Sequence, residues 1–282
     1  MLGIEGLLGT SADYPNIVFA QEVIGALHLA TGLPWWVCIA GITVAGRLLV
    51  FPVVLFQQAS AARLTAAMPE IQQIEIEYQA ASTLYKDPGA HQRRKTKMAA
   101  VYAEYNCHPW RLFSPIFATA PLFVSFFFAV KDLSIAYPEV ASVAWLWCPS
   151  LAAPDPFLLL PVAAGLSLLG VLEISLNSRK ASTDEMSQRL QTGIQRICCL
   201  SMIPLLIGLK YPAAVFLYWI TNNLLSGFQA WLLAQPWARI FFRLPPLPTS
   251  VPLPPQGMAA PKNPLITLAE GLNNLGKPKS PK

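Results

Sequence analysis

The sequence predicts an all-α polytopic membrane protein with five transmembrane helices. Hydrophobic residues make up 54% of the 282 residues and charged residues only 12%. The apolar residues form long blocks, whereas a soluble protein alternates apolar and polar residues. Lys and Arg are concentrated in alternate connections between these blocks, which is typical of a chain that crosses a membrane several times.

Five apolar blocks reach or approach the roughly 20 residues that a helix needs to cross a bilayer. Each block is apolar on all sides, as packing in lipid and in a bundle requires. The second and fourth blocks are short, so we expect the bilayer to be thinner around them. The predicted spans are residues 34–56, 114–130, 157–176, 194–209 and 212–234.

The distribution of Lys and Arg predicts the orientation, because these residues accumulate on the cytoplasmic or matrix side. Residues 1–33 contain neither, and residues 131–156 contain only Lys131. The connections after the first and third spans and the tail after the fifth are rich in both residues. The N-terminus is therefore expected outside and the C-terminus inside. The net charge of +5 follows from this topology, so we expect no nucleic-acid partner.

Three regions are predicted along the chain. Residues 1–33 form an outer segment that has acidic but no basic residues, unlike an Arg-rich mitochondrial presequence, so either targeting is internal or a presequence precedes this numbering. Residues 34–243 form the five-span core, including a helical hairpin over 57–110. Residues 244–282 are Pro-rich and expected to be disordered.

The hairpin is predicted from helical periodicity on both sides of a polar turn at 86–89. Its first helix covers 59–68, and Pro69 begins a new turn or kinks the old one. Its second helix covers 92–105. Such a hairpin needs no ligand to exist, but its basic run would also suit docking of a client chain or of lipid headgroups. The basic residues are Arg93, Arg94, Lys95 and Lys97.

Arg47 lies in the middle of the first apolar block. An Arg at mid-span opposes insertion by about 2.5–3.5 kcal/mol, so it is expected to face the bundle interior or a water-filled cavity. Thr43 precedes it by one helical turn. Glu173 in the third span would either pair with Arg47 or extend to the inner interface beside Arg179 and Lys180.

The last span contains several polar residues, of which Asn222, Ser226 and Gln229 share one helical face and Asn223 is adjacent. They could form hydrogen bonds between helices, worth on average about 0.6 kcal/mol each. Alternatively, they line a hydrophilic groove that is centred on Arg47 and bounded by the first, second and fifth spans. We favour the groove, because hydrogen bonds between helices account for the amides but not for a buried guanidinium.

Catalysis is not expected. The histidines lie outside the predicted spans, and the HExxH, P-loop and dinucleotide-binding motifs are absent. The adjacent Cys107 and His108 are a poor metal site, since further ligands are missing and Pro109 is better explained as a helix end. We therefore expect neither a cofactor nor a bound metal.

Several motifs, in matching order over about residues 33–243, resemble the YidC-type membrane protein insertase family. They are Arg47 with Pro52, Met68-Pro69-Glu70-Ile71, Ala120-Pro121-Leu122-Phe123, and Tyr211-Pro212 leading to Tyr218-Trp219 and Asn223. Gly32-Leu33-Pro34-Trp35-Trp36 resembles the mitochondrial branch. Three further segments resemble the insertases of cytochrome c oxidase assembly. They are Asn106-Cys107-His108-Pro109, the connection from Trp147-Cys148-Pro149 to Ala153-Pro154-Asp155, and residues 235–245 after the last span.

This resemblance implies an insertase of the mitochondrial inner membrane, with its N-terminus in the intermembrane space and its C-terminus in the matrix. The groove would be open to the inner side, and Arg47 would be the family's groove arginine, which attracts hydrophilic client segments. The implied partners are newly made membrane proteins, above all oxidase subunit II with its exported C-terminal domain, together with the lipid bilayer and oxidase assembly factors. Two alternatives remain open, a non-translocating assembly scaffold for the oxidase and a small-anion transporter.

Overall fold

The computed structural model describes residues 14–83, 87–108, 110–177 and 185–246, and their regular structure is helical apart from two isolated β-bridges. A short 3-10 helix, Pro138–Ser142, lies between the fifth and sixth α-helices. The all-α prediction is therefore confirmed for the described residues. The helices are α1 (Pro15–Thr31), α2 (Trp35–Thr83), α3 (Ala90–Glu104), α4 (Trp110–Lys131), α5 (Leu133–Ala136), α6 (Leu159–Asn177), α7 (Glu185–Gly208), α8 (Ala213–Ala234) and α9 (Pro236–Phe241).

Each of the five predicted spans coincides with a helix or part of one: the first with the start of α2, the others with α4, α6, α7 and α8. Within the described residues, three helical segments are long and apolar enough to cross a membrane, namely Trp35–Ser82, Leu159–Leu176 and Leu190–Gly208. The Thr119–Lys131 segment of α4 is a shorter apolar helix. A membrane protein is thus supported, and the count of five spans stays a prediction.

The first predicted span and the first predicted hairpin helix are one continuous helix of 49 residues. A proline inside a helix costs about 3 kcal/mol, yet α2 runs through both Pro52 and Pro69. Ala67 and Ile74, on either side of Pro69, are buried against Val101 of α3. Packing of this stretch outweighs the lost backbone hydrogen bond, which explains why Pro69 does not begin a new helix.

The described residues form two compact units. The first comprises residues 14–58, 112–177 and 195–244, and the second comprises 59–83, 87–108, 110–111, 185–194 and 245–246. The predicted disordered tail lies outside the described residues from position 247 onward.

The core of the first unit is built around Trp35 and Ile39 of α2, Val130 of α4 and Tyr218 of α8. The connection between α4 and α6 is part of this core, because Leu151 is fully buried in it. Its backbone also completes α8. The amides of Ala213 and Ala214 donate to the carbonyls of Ala153 and Leu151 at 2.8 and 3.0 Å, which satisfies donors that a helix start leaves unpaired.

Helix α1 was not predicted from the sequence, which placed only an outer segment over residues 1–33. The helix begins with Pro15 and ends at Thr31, and the following Gly32 has a φ of 65°, the left-handed conformation favoured by glycine. Gln21 donates to the carbonyl of Ala129 in α4 at 3.2 Å. On the same face, Gly25 lies so close to the ring of Tyr137 that a side chain would not fit.

In the second unit, α3 packs alongside the C-terminal part of α2. Their polar contacts are Tyr105 Oη to Glu70 at 2.6 Å, Arg94 to Glu75 at 2.7 Å and Lys97 to Glu77 at 2.5 Å. Near one end of the pair Tyr105 contacts Glu70, and near the other end the ring of His91 contacts the ring of Tyr78, so the two helices are antiparallel. Beneath these contacts lies an apolar cluster of Ala67, Ile74, Val101 and Cys107, joined by Leu64, Ile71, Met98, Tyr102 and Tyr105.

Candidate functional site

Arg47 and Asn222 form the centre of the candidate site. Arg47 projects from α2 and is half-buried, while Asn222 projects from α8 and is buried. The Nε–H of Arg47 donates to Oδ1 of Asn222 at 2.6 Å. The amide satisfies one guanidinium donor without neutralising the charge, because an amide oxygen carries no formal charge.

This pair lines a cavity of about 190 Å³ within the first unit. The walls are mainly apolar, and the volume is large enough for several water molecules. Tyr218 forms part of the wall, and its hydroxyl donates to the carbonyl of Phe123 at 3.2 Å, which joins α8 to α4. The lining residues come from α2, α4 and α8: Ile42, Thr43, Gly46, Arg47, Val50, Thr119, Ala120, Leu122, Phe123, Phe126, Tyr218 and Asn222.

Thr43 is another predicted groove residue that lines this cavity, although its hydroxyl donates to the carbonyl of Ile39 in its own helix at 2.7 Å. Asn223, Ser226 and Gln229 do not line it. Asn223 donates to Oγ of Ser167 in α6 at 2.9 Å, so it joins two helices. Ser226 donates to the carbonyl of Asn222 at 2.7 Å, and Gln229 is buried.

Glu173 does not pair with Arg47. Both oxygens of its carboxylate accept hydrogen bonds from Arg196 of α7, at 2.5 and 2.8 Å. Residues 179 and 180, the alternative neighbours expected for Glu173, lie outside the described residues. Across residues 14–83, 87–108, 110–177 and 185–246, no carboxylate forms an ion pair with Arg47, so the cavity keeps the charge of this residue.

The basic run of α3 is mostly paired. Arg93 contacts Asp87, Arg94 pairs with Glu75 at 2.7 Å, and Lys97 pairs with Glu77 at 2.5 Å. Lys95 is exposed and pairs with no carboxylate of the described part of the chain. It borders a groove of about 530 Å³ along α3, lined by His91, Arg94, Lys95, Met98, Ala99, Tyr102, Ala103, Asn106 and His108.

Among the described residues, no group of three or more His, Cys, Asp or Glu side chains could hold a metal ion. Cys107 is buried in the apolar cluster between α2 and α3, whereas His108 is exposed beside the ring of Tyr102. Helix α3 ends at Glu104, before Pro109, which itself lies outside the described residues.

Asp155 belongs to the connection that resembles the oxidase branch, but the sequence reasoning gave it no structural role. Its carboxylate accepts hydrogen bonds from the indole Nε1 of Trp147 at 2.8 Å and from the amides of Phe157 and Leu160 at 2.9 and 2.7 Å. It therefore caps the start of α6 and fixes the connection before it. An Asp just before an apolar block is a helix-start signal that could have found it.

The surroundings of Asp155 act on its pKa in opposite directions. Burial raises the pKa, and the hydrogen bonds from Leu160, Phe157 and Trp147 lower it. Together the hydrogen bonds outweigh burial, so the pKa of Asp155 lies below its ordinary value. The neighbouring Cys148 thiol is also buried. Burial first, and then the negative charge of Asp155, raise the pKa of Cys148, so this thiol is protonated at neutral pH.

Comparison with known families identifies the chain. The family model described as 60Kd inner membrane protein matches residues 26–239, which include Arg47, Asn222 and every wall of the cavity. The chain belongs to this family. It is the YidC-type insertase family, so the family prediction made from the motifs is confirmed.

Two mitochondrial kinds of this insertase family are similar to the chain. The mitochondrial inner membrane protein OXA1L of Bos taurus is 30% identical over 237 residues, which cover 83% of this chain and 52% of that protein. The mitochondrial inner membrane protein oxa1-1 of Schizosaccharomyces pombe is 30% identical over 252 residues, or 89% and 66%. The human cytochrome c oxidase assembly protein COX18 is 28% identical over 249 residues, or 80% and 73%. The chain thus spans about half to two thirds of its OXA1 relatives.

Proposed function

We propose that the protein is an insertase of the mitochondrial inner membrane, which inserts client helices and exports hydrophilic client segments. The observation that supports this most is the cavity between α2, α4 and α8, in which Arg47 keeps its charge beside a neutral amide. An uncompensated guanidinium inside a span is costly, so its presence calls for a function. Attraction of an acidic or polar client segment is a function that such a charge can perform.

The proposed membrane arrangement has five spans, formed by the first half of α2 and by α4, α6, α7 and α8. The positive-inside distribution then directs the N-terminus to the intermembrane space and the C-terminus to the matrix. In this arrangement the cavity is the part of a hydrophilic groove that opens to the matrix and to lipid.

The proposed mechanism needs no nucleotide. A client's hydrophilic segment enters the groove, where Arg47 lowers the cost of holding acidic groups inside the membrane. The client's apolar spans move past the groove into lipid, which is favourable because apolar surface leaves water. For acidic segments the membrane potential adds about 2.3 kcal/mol per charge for each 100 mV.

We propose the C-terminal domain of oxidase subunit II as the principal exported client, and oxidase assembly factors as further partners. Two kinds of support favour this branch. COX18, a similar protein, is named for cytochrome c oxidase assembly, and the chain covers 73% of it. The motifs around Asn106, Trp147 and the end of the last span also resemble that branch.

The hairpin of α2 and α3 is proposed as the first docking surface for clients or lipid headgroups on the matrix side. Few residues of the basic run are free to bind a client, because Arg93, Arg94 and Lys97 already contact carboxylates. Lys95 is the member of the basic run that we expect to attract a client most strongly.

A non-translocating assembly scaffold is the second candidate. The observation that favours it is the well-bonded connection between α4 and α6, in which Leu151 is buried and Asp155 accepts three hydrogen bonds. A surface held so firmly suits binding of an assembled subunit. This alternative predicts that the connection matters more than Arg47.

The deciding experiment measures export of the subunit II C-terminal domain by its protease accessibility in mitoplasts. Cells would have their own insertase replaced by this protein, with Arg47 intact or changed to Ala, Lys or Glu. Arg196→Ala serves as a matched control, because Arg196 also lies in a predicted span but does not line the cavity.

If the protein is an insertase, export should be lost with Arg47→Ala and Arg47→Glu and kept with Arg47→Lys, at equal protein levels. Normal export in all three variants would give Arg47 a purely structural role and favour the scaffold.

A further inference from the structure

Helix α9, directly after α8, exposes an apolar face. Trp237, Ile240 and Phe241 are 60%, 78% and 74% exposed, which is unusual for three large apolar side chains on one short helix. The opposite face is buried through Ala238 and Arg239.

Contacts with α8 and α2 hold helix α9 in place. Arg239 donates through Nη1 to the carbonyl of Leu233 in α8 at 3.0 Å. Phe242, just after the helix, packs edge-on against Phe51 of α2, with ring centres 5.4 Å apart. The amide of Leu244 donates to the carbonyl of Arg239 at 2.8 Å, which closes the helix end. The exposed side chains of Trp237, Ile240 and Phe241 therefore project from a helix whose position is fixed by these contacts.

We propose that α9 is an interfacial anchor, which inserts Trp237, Ile240 and Phe241 into the lipid surface where α8 ends and places Arg243 against the phosphates of anionic phospholipids. The proposal rests on the proposed function only in taking α8 as a membrane span. A Trp side chain suits the membrane–water interface, because its ring is apolar while its indole N–H reaches polar groups.

Two observations favour lipid as the occupant. First, the exposed apolar face of α8 leads directly to α9, since Leu224, Phe228 and Trp231 are exposed along the helix at spacings of four and three. Second, Arg243 is exposed two residues after the apolar face, and a basic residue near an anionic membrane surface is attracted to it.

A second copy of the chain is a weaker candidate. The three side chains of α9 bury at most roughly 600 Å², whereas a stable protein interface needs about 800 Å² from each partner. The exposed face of α8 that could extend them lies in a predicted span, where lipid covers it.

An anchor at this position would act on the candidate site. Phe51, which contacts Phe242, lies one helical turn after Arg47 on α2, and α8 carries Asn222. Fixing α9 in the lipid surface would therefore fix the C-terminal end of α8, which carries Asn222, and the turn of α2 that follows Arg47.

The test uses the full chain in liposomes of phosphatidylcholine with and without phosphatidylglycerol, the lipids carrying a radiolabel in their acyl chains. A photoreactive benzoylphenylalanine replaces Ile240, or replaces the exposed Glu139 of the 3-10 helix as a control outside the predicted spans and the hairpin. An anchor at α9 should give strong lipid labelling from position 240 and little from position 139. Equal labelling from both positions, or products that join position 240 to a second copy or to the chain beyond residue 246, would overturn it.

A second variant tests the charge. Arg243→Gln should lower the preference of position 240 for phosphatidylglycerol by about fivefold. Lys210→Gln, at the opposite end of α8, should leave that preference unchanged. An unchanged preference in Arg243→Gln would remove the proposed phosphate contact.

The two proposals can fail separately, because lipid labelling requires no client. Normal lipid labelling in a protein that inserts no client would overturn the insertase and leave the anchor. Normal insertion without labelling from position 240 would overturn the anchor and leave the insertase.

Discussion

Arg47 of α2 donates its Nε–H to Oδ1 of Asn222 of α8 over 2.6 Å, although the two residues lie 175 positions apart in the chain. The acceptor is an amide, whereas the carboxylate in the third predicted span, Glu173, is occupied by Arg196. The cavity therefore contains a guanidinium that is oriented by a hydrogen bond but not neutralised by it. Orientation and charge can consequently be separated by substitution at Asn222.

Asn222→Asp should keep the hydrogen bond but neutralise the site. We expect unchanged or increased thermal stability, because hydrogen bonds between charged partners are worth about 1.5–3 kcal/mol, and a large loss of client insertion. Asn222→Leu should lower stability by about 1–3 kcal/mol, because it leaves a partly buried donor without its acceptor. For both variants, stability is measured by thermal unfolding in liposomes, and insertion is measured by protease protection of an inserted client.

Asn223→Leu is the matched control, since Asn223 contacts Ser167 and does not line the cavity. It should lower stability while insertion per folded molecule stays normal. Full insertion by Asn222→Asp would show that the charge of Arg47 does not act on the client.

Hydrophobic patterning was sufficient to predict the helices that coincide with the five spans, because long apolar blocks have few other ways to satisfy their backbone. It was not sufficient for α1, because Gln21 and Glu22 divide its apolar residues into stretches much shorter than the roughly 20 residues of a span. Nor could it decide that α2 continues past Pro69, since this depends on burial of Ala67 and Ile74 against another helix.

At the site, helical spacing placed Asn222, Ser226 and Gln229 on one face but could not show which of them approaches Arg47. That choice depends on how α8 is rotated against α2, and rotation depends on packing such as that of Tyr218 on α4. The cap formed by Asp155 depends on three donors brought together by a folded connection.

Gly165 of α6 should be intolerant of a side chain. A Cβ there would overlap Cγ1 of Ile203 in α7, so the two helices would have to shift. Gly165→Ala should destabilise the protein by about 1–3 kcal/mol, as overpacking usually does. Thermal unfolding in lipid nanodiscs would measure this.

Gly170→Ala, on the same helix, is the control, because a Cβ there has no neighbour within 4 Å. It should be neutral or stabilising by up to about 1 kcal/mol, since alanine favours a helix more than glycine does. Adding Ile203→Ala to Gly165→Ala should recover most of the lost stability, and failure to do so would show that this contact is not the cause.

Lys95 and Lys97 allow a paired test of the docking surface. Lys97 is paired with Glu77 at 2.5 Å, whereas Lys95 pairs with no carboxylate in the described part of the chain. Lys95→Ala should weaken binding of an acidic client segment by about fivefold, the effect of one basic charge near a charged surface. Lys97→Ala should weaken it less.

The binding is measured by fluorescence anisotropy of a labelled acidic peptide with the full chain in nanodiscs. Both variants should unfold within about 1 kcal/mol of the parent, because exposed ion pairs contribute little to stability. Equal losses of binding from the two variants would mean that pairing within the hairpin does not select the docking residue.

Asp155 should make the stability of the connection between α4 and α6 depend on acid. Its pKa is lower in the folded protein than its ordinary value, because the hydrogen bonds outweigh burial, so the folded state binds fewer protons than the unfolded state. This stabilisation is complete above the ordinary Asp pKa of about 3.9 and is lost as pH falls through the folded value. Thermal unfolding followed from pH 6 to pH 3 should show a decrease in stability that begins near pH 4.

Asp155→Asn should be less stable at neutral pH by about 1.5–3 kcal/mol, the contribution of hydrogen bonds to a charged group, and its stability should decrease less on acidification. Asp132→Asn in the same connection should retain the full decrease, and an equal decrease in Asp155→Asn would assign the acid sensitivity to another carboxylate.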